Sequence, residues 1–299
     1  MLSPFRVRFT KSSPRIYTFA TQSSPAPTRF AVIPVSNLPS SKNPLQFDTN
    51  KPQLLKQEFK DVPAIKKWFK PSKDGIKSHR LNTEYLKPFE STQVRLECTM
   101  GRENDPRKDF GEVELSLGDL FQNITDIRNG KRGRGEMVSI HFYLAQQSLD
   151  DLPQALQDDV PTPSFISQFG RGDKYGSSLW MGKPPTRTPL HRDPNPNIFI
   201  QLAGRKVVRL MAPDDGARLY HRITEVHGSA NMRGTEMMSG PESLRLEEAV
   251  WGHSEVYDEV KGVEAELESG DGLYIPLGWW HAVNGVGQGV NASVNWWFR

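Results

Sequence analysis

Short apolar runs punctuated by Gly, Pro and Asn dominate the second half of the chain. Ser178–Met181, Ile198–Leu202, Val207–Leu210, Leu273–Ile275 and Val290–Trp297 are each bounded by turn formers, a pattern that predicts strands. Many short strands spaced this way predict a β-sandwich or barrel. The first half is mixed. Phe30-Ala31-Val32-Ile33-Pro34-Val35 reads as a short apolar strand closed by proline. From Gln53 to Phe69 the apolar residues Leu54, Leu55, Phe59, Ile65, Trp68 and Phe69 predict helical segments broken near Pro63. Thr92–Glu97 alternates as a strand, and Leu117–Ile127 predicts a helix with Ser116 near its start. A polar stretch at about residues 214–262 interrupts the strands. Leu244–Val250 within it predicts a helix, so the stretch reads as an insertion between barrel strands.

Composition narrows the class. At 36% hydrophobic and 24% charged residues the chain lies outside the disordered range. No apolar run approaches the roughly 20 residues of a membrane-spanning helix, so no membrane span is expected. The net charge of +3 is unevenly spread. Arg6, Arg8, Lys11, Arg15, Arg29 and Lys42 precede the first acidic residue, Asp48, in a Ser/Thr-rich stretch. An acid-free, Arg-bearing start is the profile of a mitochondrial transit peptide, and Arg15-Ile16-Tyr17 resembles a processing site. Cleavage after Tyr17 removes four of those cations and turns +3 into −1, which leaves no whole-molecule argument for nucleic acid. The basic stretch Arg128–Arg134 reads as a solvated turn. The expected organisation is a transit peptide and linker over residues 1–29, an α+β extension over 30–135, and a catalytic domain over 136–299.

Cys98 is the only cysteine, which excludes internal disulfides and thiolate-rich metal sites. A metal must therefore be held by histidine and carboxylate. In Thr188-Pro189-Leu190-His191-Arg192-Asp193, residues two apart on an extended segment share a face, so His191 and Asp193 can grip one ion. Two His and one carboxylate leave open positions of the kind used by non-haem iron oxygenases. A distant strand His should complete the set, and Gly270-Asp271-Gly272-Leu273-Tyr274-Ile275-Pro276-Leu277-Gly278-Trp279-Trp280-His281 supplies one. His79, His141, His221, His227 and His253 are isolated or lie in the polar insertion, and read as structural or surface residues.

Residues 178–210 and 270–298 together resemble the two halves of a JmjC/cupin-type Fe(II)- and 2-oxoglutarate-dependent oxygenase, nearest its asparaginyl/arginyl hydroxylase-like subgroup. The stretches that carry the likeness are Thr188–Asp193, Asn197–Lys206, Gly270–Pro276, Trp279-Trp280-His281 and Ser293-Val294-Asn295-Trp296-Trp297, with weaker likeness through Tyr143-Leu144-Ala145-Gln146-Gln147 back to about Phe30. The resemblance implies a mainly β fold: a double-stranded β-helix (jelly-roll) barrel with flanking helices. It also implies that Fe(II) sits on His191, Asp193 and His281. Lys206, Thr188 and Tyr143 would hold the distal carboxylate of 2-oxoglutarate, with Asn197 and Asn295 lining that co-substrate near the metal. O2 is the second co-substrate. The implied reaction yields succinate, carbon dioxide and a hydroxylated side chain, with a protein as the expected substrate. A metabolite hydroxylase, a lysine demethylase, a cupin enzyme without 2-oxoglutarate and a non-catalytic binding or assembly protein are the alternatives. Related enzymes often dimerise, which makes a homodimer a further expectation.

Overall fold

The computed structural model describes residues 29–36, 47–72, 78–102, 109–126, 130–133, 136–168, 172–224, 241–252, 255–257 and 259–299. The stretch read as a presequence lies outside them except for Arg29. So do His227, His253, residues 225–240 of the insertion, and parts of the basic stretch at 128–134.

In chain order the strands are β1 (Phe30–Val32), β2 (Val35–Ser36), β3 (Gln53–Leu55), β4 (Phe69–Pro71), β5 (His79–Leu81), β6 (Gln93–Arg102), β7 (Asp109–Ser116), β8 (Gly130–Gly133) and β9 (Glu136–Ser148). The second half adds β10 (Lys174–Gly182), β11 (Thr186–Arg192), β12 (Asn197–Ala203), β13 (Arg205–Met211), β14 (Gly262–Glu268), β15 (Gly272–Ile275), β16 (Trp280–Val286) and β17 (Asn291–Phe298). The helices used below are α1 (Pro63–Trp68), α2 (Thr83–Leu86), α3 (Leu117–Thr125), α4 (Gln154–Asp158), α5 (Phe165–Gln168), α6 (Pro213–Thr224) and α7 (Pro241–Trp251).

A five-stranded sheet in the order β1-β14-β13-β16-β11 faces a ten-stranded sheet whose path is β2-β3-β15-β12-β17-β10-β9-β6-β7, with β8 paired to β9. Alternation along each strand explains the layering. On β13, Lys206, Val208 and Leu210 are buried while Arg205, Val207 and Arg209 are partly exposed. The buried face meets Phe199, Ala265, Leu267, Leu273, Ile275 and Val283 in an apolar layer between the sheets. Arg205 and Arg209 lie on the other face and pair with Glu266 and Glu264 at 2.7 Å. The outer face of the small sheet is covered by α6 and α7 through Leu219, Ile223, Leu246 and Val250 around Trp280. The outer face of the large sheet packs against α1 to α4. This is the mainly β jelly-roll arrangement with flanking helices that the resemblance implied.

The predicted strands at Ser178, Ile198, Val207, Leu273 and Val290 all form, and the Leu244–Val250 helix lies inside α7. α3 starts where expected, with Ser116 Oγ accepting from Asp119 N–H at 3.2 Å and Asp119 Oδ2 accepting from Ser116 N–H at 2.9 Å, a capping box. One reading is corrected. Gln53–Leu55 is a strand, fully buried and antiparallel to β15, and the helix begins only at Pro63 in its first turn. Burial on both sides gave this segment continuous apolar positions, and β15 offers an open edge that local spacing does not reveal. The apolar run at Phe30 is split by Ile33-Pro34: β1 joins the small sheet beside β14, and β2 joins the large sheet beside β3. The region read as an extension therefore contributes strands to both sheets.

Candidate metal centre and its pocket

His191 is the last residue but one of β11 and Asp193 follows the strand, while His281 is the second residue of β16, the strand beside β11. The antiparallel register makes His191 and His281 direct partners, with ring centroids 4.0 Å apart. One side-chain donor atom from each of His191, Asp193 and His281 lies within 4.8 Å of the others. His191 Nε2 is 3.9 Å from Asp193 Oδ1, and His281 Nε2 is 3.6 Å from Asp193 Oδ2.

Local hydrogen bonds fix the chemistry of these groups. His191 Nδ1 is 2.8 Å from the Pro189 carbonyl, and His281 Nδ1 is 3.3 Å from the Trp279 carbonyl. A carbonyl only accepts, so each Nδ1 carries a proton and each Nε2 is turned toward Asp193. Burial works to raise the Asp193 carboxyl, but the His281 and His191 imidazoles outweigh it and hold the group below its ordinary range. Asn197 Nδ2 donates to Asp193 Oδ2 at 2.9 Å. The Trp297 indole N–H lies on the same carboxylate without a full hydrogen bond.

A narrow pocket with a cavity of about 30 Å³ runs inward from these three residues, lined among others by Trp180, Thr188, Asn197, Phe199, Lys206 and Asn295. Lys206 is fully buried there. Its Nζ donates to Ser293 Oγ at 2.8 Å and to Tyr143 Oη at 3.3 Å, and it sits over the Phe199 ring at 5.3 Å. Burial pushes the ammonium down to about 7. Gly204 makes this entry possible. It turns the chain between the sheets at φ +70°, where a Cβ would meet the Val290 carbonyl oxygen at 2.6 Å.

All eight residues singled out in the sequence thus gather in one place. His191, Asp193, His281, Thr188, Asn197, Lys206 and Asn295 line the pocket, and Tyr143 closes on Lys206. Two amides have a polarity the sequence could not give. Trp180 Nε1 donates to Asn295 Oδ1 at 2.7 Å, and an indole only donates, so Asn295 keeps its NH2 for other partners. A carboxylate only accepts, so Asn197 turns its NH2 to Asp193 and leaves Oδ1 buried and without a partner among the described residues. Ser293 was missed as a site residue. The signal was the strand period, because Ser293, Asn295 and Trp297 share one face of β17.

A family model described as a cupin-like domain matches residues 46–299. Over 255 residues the chain is 26% identical to Jumonji C domain-containing protein 5 of Drosophila melanogaster, a match covering 84% of this chain and 55% of that protein. It is 30% identical over 158 residues to Lysine-specific demethylase 8 of Danio rerio, covering 52% of this chain and 36% of the relative. It is 32% identical over 161 residues to Lysine-specific demethylase JMJ30 of Arabidopsis thaliana, covering 52% and 33%. The chain thus spans between about a third and about half of the length of these relatives. With the match running through both sheets and the whole His/Asp/His cluster, the chain belongs to the cupin-like domain family and is related to the JmjC proteins.

Proposed function

We propose that the chain is an Fe(II)- and 2-oxoglutarate-dependent dioxygenase that hydroxylates a side chain, with a protein as its substrate. The observation that carries this reading is the pairing of two unlike ends in one pocket. Three donors of iron-binding type stand at one end, and a buried ammonium without an ion-paired carboxylate among the described residues stands at the other.

The donor set fits iron(II): two imidazoles whose Nε2 atoms are oriented by their Nδ1 bonds, and one ionised carboxylate oriented by Asn197. His191, Asp193 and His281 would hold the ion. When bound, iron(II) with 2-oxoglutarate supplies dioxygen activation, oxidative decarboxylation and C–H hydroxylation. The protein's part is placement. Lys206 would bind the distal carboxylate of 2-oxoglutarate by a charge-assisted hydrogen bond, with Tyr143 and Thr188 adding hydroxyl contacts. The Asn295 amide offers N–H donors at the same pocket, and Trp180, Phe199 and Val283 exclude water from it. Residues 1–29 would address the protein to the mitochondrial matrix, on their acid-free, arginine-bearing composition.

The test is to incubate the enzyme with iron(II), 2-oxoglutarate and ascorbate in mitochondrial extract. A peptide heavier by the mass of one oxygen, lost in His281→Ala, is the expected product. A second reading, lysine demethylation, is favoured by the names of two relatives and by the aromatic walls at Trp180 and Trp297. Formaldehyde released in step with succinate would establish it in place of hydroxylation.

A further inference from the structure

Lys206 enters the fold on a face of β13 that otherwise carries Val208 and Leu210. An isolated ammonium between two sheets is costly unless hydrogen bonds replace its water. Its nearer partner is the Ser293 hydroxyl at 2.8 Å, with the Tyr143 phenol at 3.3 Å. Ser293 is itself fully buried, and its backbone is fixed between two neighbours, registered with Trp180 of β10 and Gln201 of β12. A hydroxyl can accept from an ammonium and donate to an amine, so it serves lysine in either state, and the bond to the charged state is the stronger. An ammonium has three N–H donors. Ser293 and Tyr143 engage two, which leaves one for a ligand in the pocket.

We propose that Ser293 is a positioning residue that holds the Lys206 ammonium charged and directed into the pocket, so that 2-oxoglutarate affinity depends on Ser293 without direct contact. The inference rests on the reading of Lys206 as the anchor of the co-substrate. The titratable groups that share the pocket are Tyr143 of β9, His191 of β11, Asp193 after it, and His281 of β16. Among the described residues, the neighbours of Lys206 on β12 and β17 are the Phe199 ring and the Ser293 hydroxyl, neither of them charged. Burial sets the lysine near pH 7, and a carboxylate binds the charged form, so affinity for 2-oxoglutarate falls as pH rises through about 7. Removing the Ser293 hydroxyl withdraws more support from the charged form than from the neutral one, and the fall then begins at lower pH.

The experiment is calorimetric titration of 2-oxoglutarate into the full chain loaded with Mn(II), from pH 6 to 8.5. Ser293→Ala should raise Kd about tenfold at pH 7.5, the loss of one charge-assisted hydrogen bond. Its pH profile should move to lower pH. Ser293→Thr keeps the hydroxyl and should return both quantities toward wild type. An unchanged Kd in Ser293→Ala, a Kd that rises equally at every pH, or a Ser293→Thr variant as weak as Ser293→Ala would overturn the proposal. Lys206→Met separates the two readings. If it binds 2-oxoglutarate like wild type, the co-substrate reading falls and this one with it. If it loses binding while Ser293→Ala does not, only the role of Ser293 falls.

Discussion

At His191 and His281 a backbone carbonyl two residues back accepts from Nδ1–H, so the ring edge that faces Asp193 is set by the chain itself. Removal of either His191 or Asp193 leaves two donors, which hold iron(II) poorly. His191→Ala and Asp193→Ala purified anaerobically should each lose the single iron(II) that wild type is expected to bind, as read by metal analysis. Wild-type iron content in both would remove the triad. Lys206→Met keeps the length of the side chain and removes its charge. It should raise the 2-oxoglutarate Kd by roughly 10- to 150-fold, the worth of a charge-assisted hydrogen bond of about 1.5–3 kcal/mol, while iron affinity stays near wild type. The histidines and the aspartate were legible in the sequence from the one His-x-Asp pair and the distant His281 after its turn, strand and aromatic pair, whereas Lys206 came from the family resemblance. The roles of Asn197, Trp180 and Ser293 were not legible. Each is defined by a partner at least four residues away, Asp193, Asn295 and Lys206 in turn, and a hydrogen bond between distant strands leaves no trace in local spacing.

Between β13 and β14 the chain builds α6 and α7, and α6 presses on the strand that carries His281. A Cβ placed on Gly216 would lie 2.2 Å from Trp280 Cγ, and Trp280 is the residue before His281. Gly216→Ala must therefore push the helix off β16. Overpacking of this kind costs about 1–3 kcal/mol, to be measured by urea denaturation. Iron affinity should fall with it, and an alanine variant as stable as wild type would show that the helix yields freely. Elements with their own signals were the legible ones. α3 has a serine at its cap and an acid three residues on, and β12, β13 and β17 are short apolar runs between turn formers. β3 was misread because its identity comes from β15, which lies more than two hundred residues away in the chain.

At the scale of the whole molecule, Arg29 marks where the described fold begins. Its guanidinium donates to the carbonyl of Ala249 within α7, and to those of Gly252 and Val260 at 3.4 Å. Ala249 lies in the last turn of α7 and Gly252 just after it, where a cation is favoured, so Arg29 secures the cover of the small sheet. A reporter fused to residues 1–29 should reach mitochondria, and the processed N-terminus, read by peptide sequencing, should lie between about residues 17 and 30. A cytosolic reporter would overturn the address, and a terminus beyond Arg29 would show that the helix does without this contact.

β11 is the last strand of its sheet and pairs only with β16 among the described strands. A free margin of a sheet is where a fold opens first. Here the margin and its one neighbour each supply a histidine at the same register position, so an ion held between them acts as a clasp that pins the strand shut. Backbone amides of Thr186–Arg192 should exchange with deuterium readily in the metal-free protein and slowly once iron(II) is bound, while those of β12 and β17 in the middle of the large sheet change little. Loss of metal would then announce itself first as fraying along one seam, well before the protein unfolds.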